Sequence, residues 1–180
     1  AVEYLIDKLD EAGVLDNTLI VLLQDHYPYN MGLKKLSQLA GKNLVENEFE
    51  SEFNQFRGAL YMWSPSIETM HVTDPVCELD VLPTLLNLLG YEYDSRLLMG
   101  RDVFSDSEPL AILADRSFVT KDYYYNANTA EVTAKSAEYT PPKHIVDRMV
   151  TMIKNKFTVS NLMLYTDYYS YILSAQQSKQ

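Results

Sequence analysis

Thr18-Leu19-Ile20-Val21-Leu22-Leu23-Gln24-Asp25-His26 runs from an apolar block straight into a carboxylate and an imidazole. The block is too short and too β-branched to favour a helix, and it lacks the alternation of a strand with one wet face. It is therefore expected to be a parallel strand covered on both faces. In open α/β sheets, ligands collect just beyond the carboxyl ends of such strands. Asp25 and His26 stand at that end. A carboxylate oxygen and an imidazole nitrogen can both coordinate zinc, manganese or iron, and neighbours on an irregular turn can face one ion. The same two residues also suit a plainer part, with Asp25 capping the next turn and His26 hydrogen-bonded and half-buried. The dipeptide alone leaves both readings open.

Before this block, Val2, Leu5, Ile6 and Leu9 share one helical face and Gly13 follows as a stop. The helical pattern opens without lead-in, so Ala1 is expected to continue a longer polypeptide. After the block, a helix is expected from near Met31, with Leu33, Leu36, Leu39 and Ala40 ending at Gly41. The acidic stretch from Glu46 to Glu52 reads as a solvated loop, pinned by Phe49, Phe53 and Phe56. Ala59-Leu60-Tyr61-Met62-Trp63 is a second strand candidate closed by Ser64-Pro65-Ser66, and it would reach the same ligand edge if parallel to the first. Glu78 to Gly90 reads as a core helix with Asp80 as its cap, Pro83 in the first turn and Gly90 at the end.

From Leu110 the texture changes to short segments at 110–114, 117–120, 123–126 and 131–135, which predict a small antiparallel sheet. Tyr123, Tyr124 and Tyr125 are expected to cover a face of it rather than to stack on a sugar or base. Pro141-Pro142 breaks the chain, and two helices are expected over 144–157 and 160–173, with Thr158 or Ser160 as a cap between them.

Composition narrows the class. In 180 residues, 47% hydrophobic content supports a real core, and a net charge of -10 without clustered Lys and Arg excludes a nucleic-acid surface. A bound metal would still supply positive charge locally for an anionic substrate. Cys77 is the single cysteine, which excludes an intrachain disulfide and suits a small buried hydrophobe. His71 and His144 read as surface residues. The chain shows no apolar stretch of about eighteen residues and no basic-then-apolar leader.

Taken in order, Asp16-Asn17-Thr18-Leu19-Ile20-Val21, Asp25-His26, Asp80-Val81-Leu82-Pro83-Thr84-Leu85 with Gly90, and Met99-Gly100-Arg101-Asp102-Val103-Phe104-Ser105 resemble the sulfatase branch of the alkaline phosphatase superfamily. Within it they look most like the lipoteichoic acid synthase group of phosphoglycerol transferases. The likeness covers roughly residues 1 to 126. It implies an α/β fold, the carboxyl-terminal half of an alkaline phosphatase-like α/β/α sandwich, with a small antiparallel subdomain and carboxyl-terminal helices. Residues 1–140 would form the half-domain and 141–180 a helical extension.

The resemblance implies that Asp25 and His26 bind a divalent metal, typically manganese, while a threonine nucleophile and a further acidic ligand lie on strands before Ala1. The missing amino-terminal half would then be this chain's partner, and the chain alone would be inactive. Many sulfatases carry Asp-Asn at this place, so His26 leans towards phosphoryl substrates. Asn30, four positions beyond the histidine, corresponds to a headgroup contact, where serine is usual in lipoteichoic-type proteins. Gln24 stands where glycine is common. The implied substrate is an anionic phosphoglycerol lipid, and the implied parent is membrane-anchored with this domain outside the cell. The alternatives are a true sulfuric ester hydrolase using a modified Cys or Ser, and a noncatalytic glycan-binding or scaffold domain.

Overall fold

The computed structural model describes residues 1–26, 29–44, 53–54 and 56–177. Two compact units divide it, Ala1–Val72 and Thr73–Gln180. The first holds α1 (Val2–Glu11), β1 (Ile20–Leu23), α2 (Leu33–Ala40) and β2 (Leu60–Trp63). The second holds α3 (Val81–Leu88), β3 (Leu110–Ile112), β4 (Phe118–Thr120), β5 (Tyr123–Tyr125), β6 (Val132–Ala134), α4 (Lys143–Tyr165) and α5 (Tyr168–Gln177). The mixture of helices and sheets bears out the α/β class. Phe49, expected to pin the acidic loop, lies outside the described residues, whereas Phe53 is buried and Phe56 exposed.

The helix stops follow the expected chemistry. Gly13 and Gly90 take left-handed φ of 68° and 72°. Each glycine N–H donates to the second-last helical carbonyl and the next residue's N–H to the third-last, Gly13 N to Asp10 O and Val14 N to Leu9 O, and Gly90 N to Asn87 O and Tyr91 N to Leu86 O. Two such bonds after a left-handed residue satisfy carbonyls that the helix end would otherwise strand.

The strand direction corrects the first expectation. β1 pairs with β2 antiparallel, Ile20 opposite Trp63 and Leu23 opposite Leu60. Among the described residues no third strand joins them. Ile20 is buried, but Leu22 and Leu23 are 42% and 51% exposed, so the run is not covered on both faces within this chain. An uninterrupted apolar run shows that cover is needed and says nothing about direction. The antiparallel arrangement also exchanges the ends of β2. Its entry, Arg57-Gly58-Ala59, borders the end of β1, and Ser64-Pro65-Ser66 leaves at the far end.

In the second unit the four short strands form an antiparallel meander in the order β3-β4-β5-β6. Phe118 and Tyr123 from the sheet meet Val146 and Ile153 of α4 in one core, with Met149, Val150 and Phe157 around them. The spacing 146, 149, 150, 153, 157 is one stripe of a 3.6-residue helix. Burying Phe118 and Ile153 contributes about 2–3 kcal/mol each. Tyr125 stacks on Phe118 at 4.9 Å between ring centroids, so these tyrosines cover the sheet as expected. Tyr124 lies under the Lys135 ammonium, 4.9 Å from its ring centre.

α4 does not break at Thr158–Ser160. Thr158 Oγ1 donates to Lys154 O at 3.0 Å, the bond a helical threonine makes to the previous turn, so it caps nothing. The break falls at Thr166–Asp167, where Asp167 has φ 49° and its Oδ1 accepts from Ser170 Oγ in the first turn of α5. Tyr169 Oη then donates to Leu97 O at 3.0 Å and ties α5 back to the unit.

Asp80 departs from its expected role. It precedes α3, yet its side chain makes no capping bond to that helix. Oδ2 instead accepts from Cys77 N at 3.1 Å, and Oδ1 accepts from Arg101 N at 2.8 Å. Thr84, fully buried, donates to Asp80 O and accepts from Val103 N at 3.1 Å. Gly100 allows the approach, since a Cβ there would lie 1.9 Å from Leu79 O. The Asp80…Thr84 and Gly100-Arg101 motifs are thus two halves of one buried clamp.

Candidate metal and substrate site

Asp25 and His26 leave β1 on a bend, with Gln24 as the last residue before them. Residues Leu19 to Leu23 carry no polar side chain, so after the Gln24 amide the carboxylate and imidazole are the first ionisable groups beyond the strand. The Asp25 and His26 side chains are 88% and 53% exposed. His26 Nε2 stands 3.6 Å from Asp25 Oδ1, too far for a hydrogen bond but a span that one ion with ligand bonds of about 2.1 Å can bridge. The donor set, one hard oxygen and one imidazole nitrogen, suits a divalent transition ion.

The His26 ring lies against Tyr29, centroids 4.8 Å apart and planes tilted by 42°. His26, Tyr29, Asn30 and Met31 line one open hollow of about 170 Å³. The chain therefore brings Asn30 to the same hollow as His26, and Asp25 is not among the residues that line it. Among the described residues no group of three or more His, Cys, Asp or Glu is placed to hold a metal. The pair fits half of a metal shell, and completing it requires donors from elsewhere.

The other sequence candidates fall away from this place. His71 and His144 are exposed. Cys77 is half-buried, and burial pushes its thiol above the ordinary value, which disfavours a thiolate nucleophile. A larger hollow of about 950 Å³ lies in the second unit, lined by Leu79, Leu82, Leu98, Met152 and Met163, with Arg148 and Lys156 among its polar groups. It is mainly apolar and holds neither a histidine nor a cysteine.

Sequence reasoning passed over Gly58. A side chain at this position would meet Gln24, the residue preceding the pair. Its signal in the sequence is slight, a glycine just ahead of an apolar strand, and the antiparallel pairing alone brings it beside β1. Among the described residues, no helix is long and apolar enough to cross a membrane.

The sequence pattern of the Sulfatase family matches residues 1–91, a span that includes β1, the Asp25-His26 pair and all of α3. The chain is 30% identical over 134 residues to the lipoteichoic acid synthase-like YvgJ of Bacillus subtilis (strain 168), covering 72% of the chain and 21% of that protein. It is 26% identical over 164 residues to the lipoteichoic acid synthase of Staphylococcus aureus (strain USA300), covering 86% of the chain and 25% of that protein. The chain spans about a fifth to a quarter of the length of these curated relatives.

Proposed function

The chain belongs to the sulfatase family, and from that premise we propose that it is the carboxyl-terminal part of a metal-dependent phosphoglycerol transferase or related phosphodiester hydrolase. The observation that carries the reading is the exposed Asp25-His26 pair, its donor atoms 3.6 Å apart at the end of β1. Relatives named as lipoteichoic acid synthases supply the direction towards phosphoryl rather than sulfuryl esters, and His26 in place of asparagine agrees with it.

In this reading Asp25 and His26 would hold a divalent ion, proposed to be manganese, which would supply a lowered proton affinity at a nucleophile and charge stabilisation for phosphoryl oxygens. Asp25 contributes a negative oxygen at the mouth of the site, and Tyr29 restrains the His26 ring so that its nitrogen keeps one direction. Asn30, on the same hollow, offers an amide to the oxygens of a phosphoglycerol headgroup. With a net charge of -10 the surface repels anions, so attraction of an anionic lipid is confined to the ion. The nucleophile and remaining ligands come from other residues of a membrane-anchored parent acting outside the cell. The chain alone is accordingly inactive.

A glycan-binding role has less to work with. Tyr123 is buried and Tyr125 is stacked on Phe118, so two of the three adjacent tyrosines are occupied in the core.

The test is turnover by the full-length protein with Mn²⁺ on a phosphoglycerol lipid, a model phosphodiester and a sulfate ester. Asp25→Ala and His26→Ala should each lower phosphodiester turnover by at least about a hundredfold. Unchanged turnover in both variants would defeat the assignment, and preference for the sulfate ester would move it to a sulfuric ester hydrolase.

A further inference from the structure

Gln24 is the residue through which the strand hands the chain to Asp25, and it stands where the family resemblance leads one to expect glycine. Its side chain is not idle. An added Cβ on Gly58 would lie 2.9 Å from Gln24 Oε1, 3.1 Å from Cδ and 3.3 Å from Cβ, so the glutamine lies along its length across the face of Gly58. The ladder places this contact. Leu23 is opposite Leu60, and continuing the same register by two residues brings Gly58 level with Asp25.

We infer that Gln24 is a positioning residue, whose side chain, seated over Gly58, fixes the direction in which Asp25 and His26 are presented. The inference rests on the metal reading above. The peptide between Gln24 and Asp25 is planar, so the set of Gln24 limits where the next Cα and its carboxylate can point. Among the described residues the paired register ends at Leu23 and Leu60, and beyond it the side-chain contact across to β2's entry takes over. Gly58 leaves the glutamine's seat open, and an added Cβ there would push aside the flexible amide end of Gln24. Glycine at 24 would offer nothing to seat. The two positions therefore act as a pair: a long side chain at 24 and none at 58.

Outer groups that orient metal ligands typically change affinity by about 10–100-fold when removed. Mn²⁺ titration calorimetry on the full-length protein should accordingly show Gln24→Ala and Gly58→Ala each binding about tenfold more weakly than the parent, at an unchanged unfolding midpoint for Gln24→Ala. Because both remove one contact, the double variant should also be about tenfold weaker rather than a hundredfold. Gln24→Met, which keeps length over Gly58, should stay within about threefold of the parent. Unchanged affinity in Gln24→Ala overturns the proposal, as does a double variant whose losses multiply. Should Gly58→Ala fail to fold, the contrast between Gln24→Ala and Gln24→Met decides alone, equal affinities refuting it. Asp25→Ala and His26→Ala, titrated alongside, separate the two levels. If they leave binding intact the metal reading fails; if they abolish it while Gln24→Ala binds normally, only the positioning role fails.

Discussion

Replacing Asp80 by alanine should open the clamp that joins α3 to the segment around Arg101. The carboxylate is 2% exposed, so water cannot take over the two backbone N–H groups it satisfies, those of Cys77 at 3.1 Å and Arg101 at 2.8 Å. A hydrogen bond to a charged acceptor contributes about 1.5–3 kcal/mol, which puts the loss of two for Asp80→Ala at roughly 3–6 kcal/mol. That is a large share of the 5–15 kcal/mol or so that holds an ordinary domain together. Asp80→Asn keeps one acceptor oxygen and turns the other atom into a donor facing an N–H group, so about half the loss should remain. Urea unfolding followed by circular dichroism at about 222 nm reads mainly the second unit, because α4 and α5 supply 23 and 10 helical residues there. Emission from Trp63, the single tryptophan, reports on the first unit and separates a local loss from a general one. A loss below about 1 kcal/mol for Asp80→Ala would refute the assignment of Asp80 as the clamp's anchor.

Gly100→Ala should destabilise the same unit by at least about 2–3 kcal/mol, because the added carbon would meet backbone, Leu79 O at 1.9 Å and Asp80 N at 2.7 Å, and neither can swing aside. The same urea titration measures it, and a midpoint equal to the parent's would be incompatible with this close approach. Tyr123 gives a pH-dependent prediction. Burial first, and then the nearby Tyr139 and Asp122, raise its phenol above the ordinary value of 10. A group whose folded pKa is raised contributes stability that is complete below its unfolded pKa and is lost as pH rises through the folded value. Urea midpoints should therefore fall above about pH 10, and Tyr123→Phe should flatten that fall. At neutral pH the same variant removes a buried hydroxyl that has no hydrogen-bond partner among the described residues, so it should be neutral or stabilising by up to about 1 kcal/mol. A marked loss at neutral pH would show that the hydroxyl is bonded after all.

Much of the local structure was legible because it is written in short-range chemistry. Glycines at 13, 41 and 90 end their helices in left-handed conformations, which side chains elsewhere would resist. The 3.6-residue stripe of α4 and the four short β segments were likewise visible, since periodicity reports which faces need burial. What it does not report is where burial stops being useful. A residue able to cap is equally able to bond back to the previous turn, as Thr158 does, so the helix runs on to Tyr165 rather than ending at Phe157. Asp80 differs from its expected role for a related reason. Its place before a helix suggests a cap, but the groups that claimed its oxygens are Cys77 N and Arg101 N, the second 21 residues away.

Residue type and order alone establish that an acid and an imidazole follow an apolar strand, that the chain is α/β, and that its ordered motifs are those of the sulfatase family. These follow from residue type and order, which need no partner to be read. Tertiary structure alone decided that β1 and β2 run antiparallel, that Gly58 rather than Ser64 borders the pair, and that the Asp80 and Gly100 motifs close on each other. Strand direction and close approach depend on how distant segments meet, and a Cβ that would lie 1.9 Å from a carbonyl leaves no trace in local pattern beyond the bare presence of glycine.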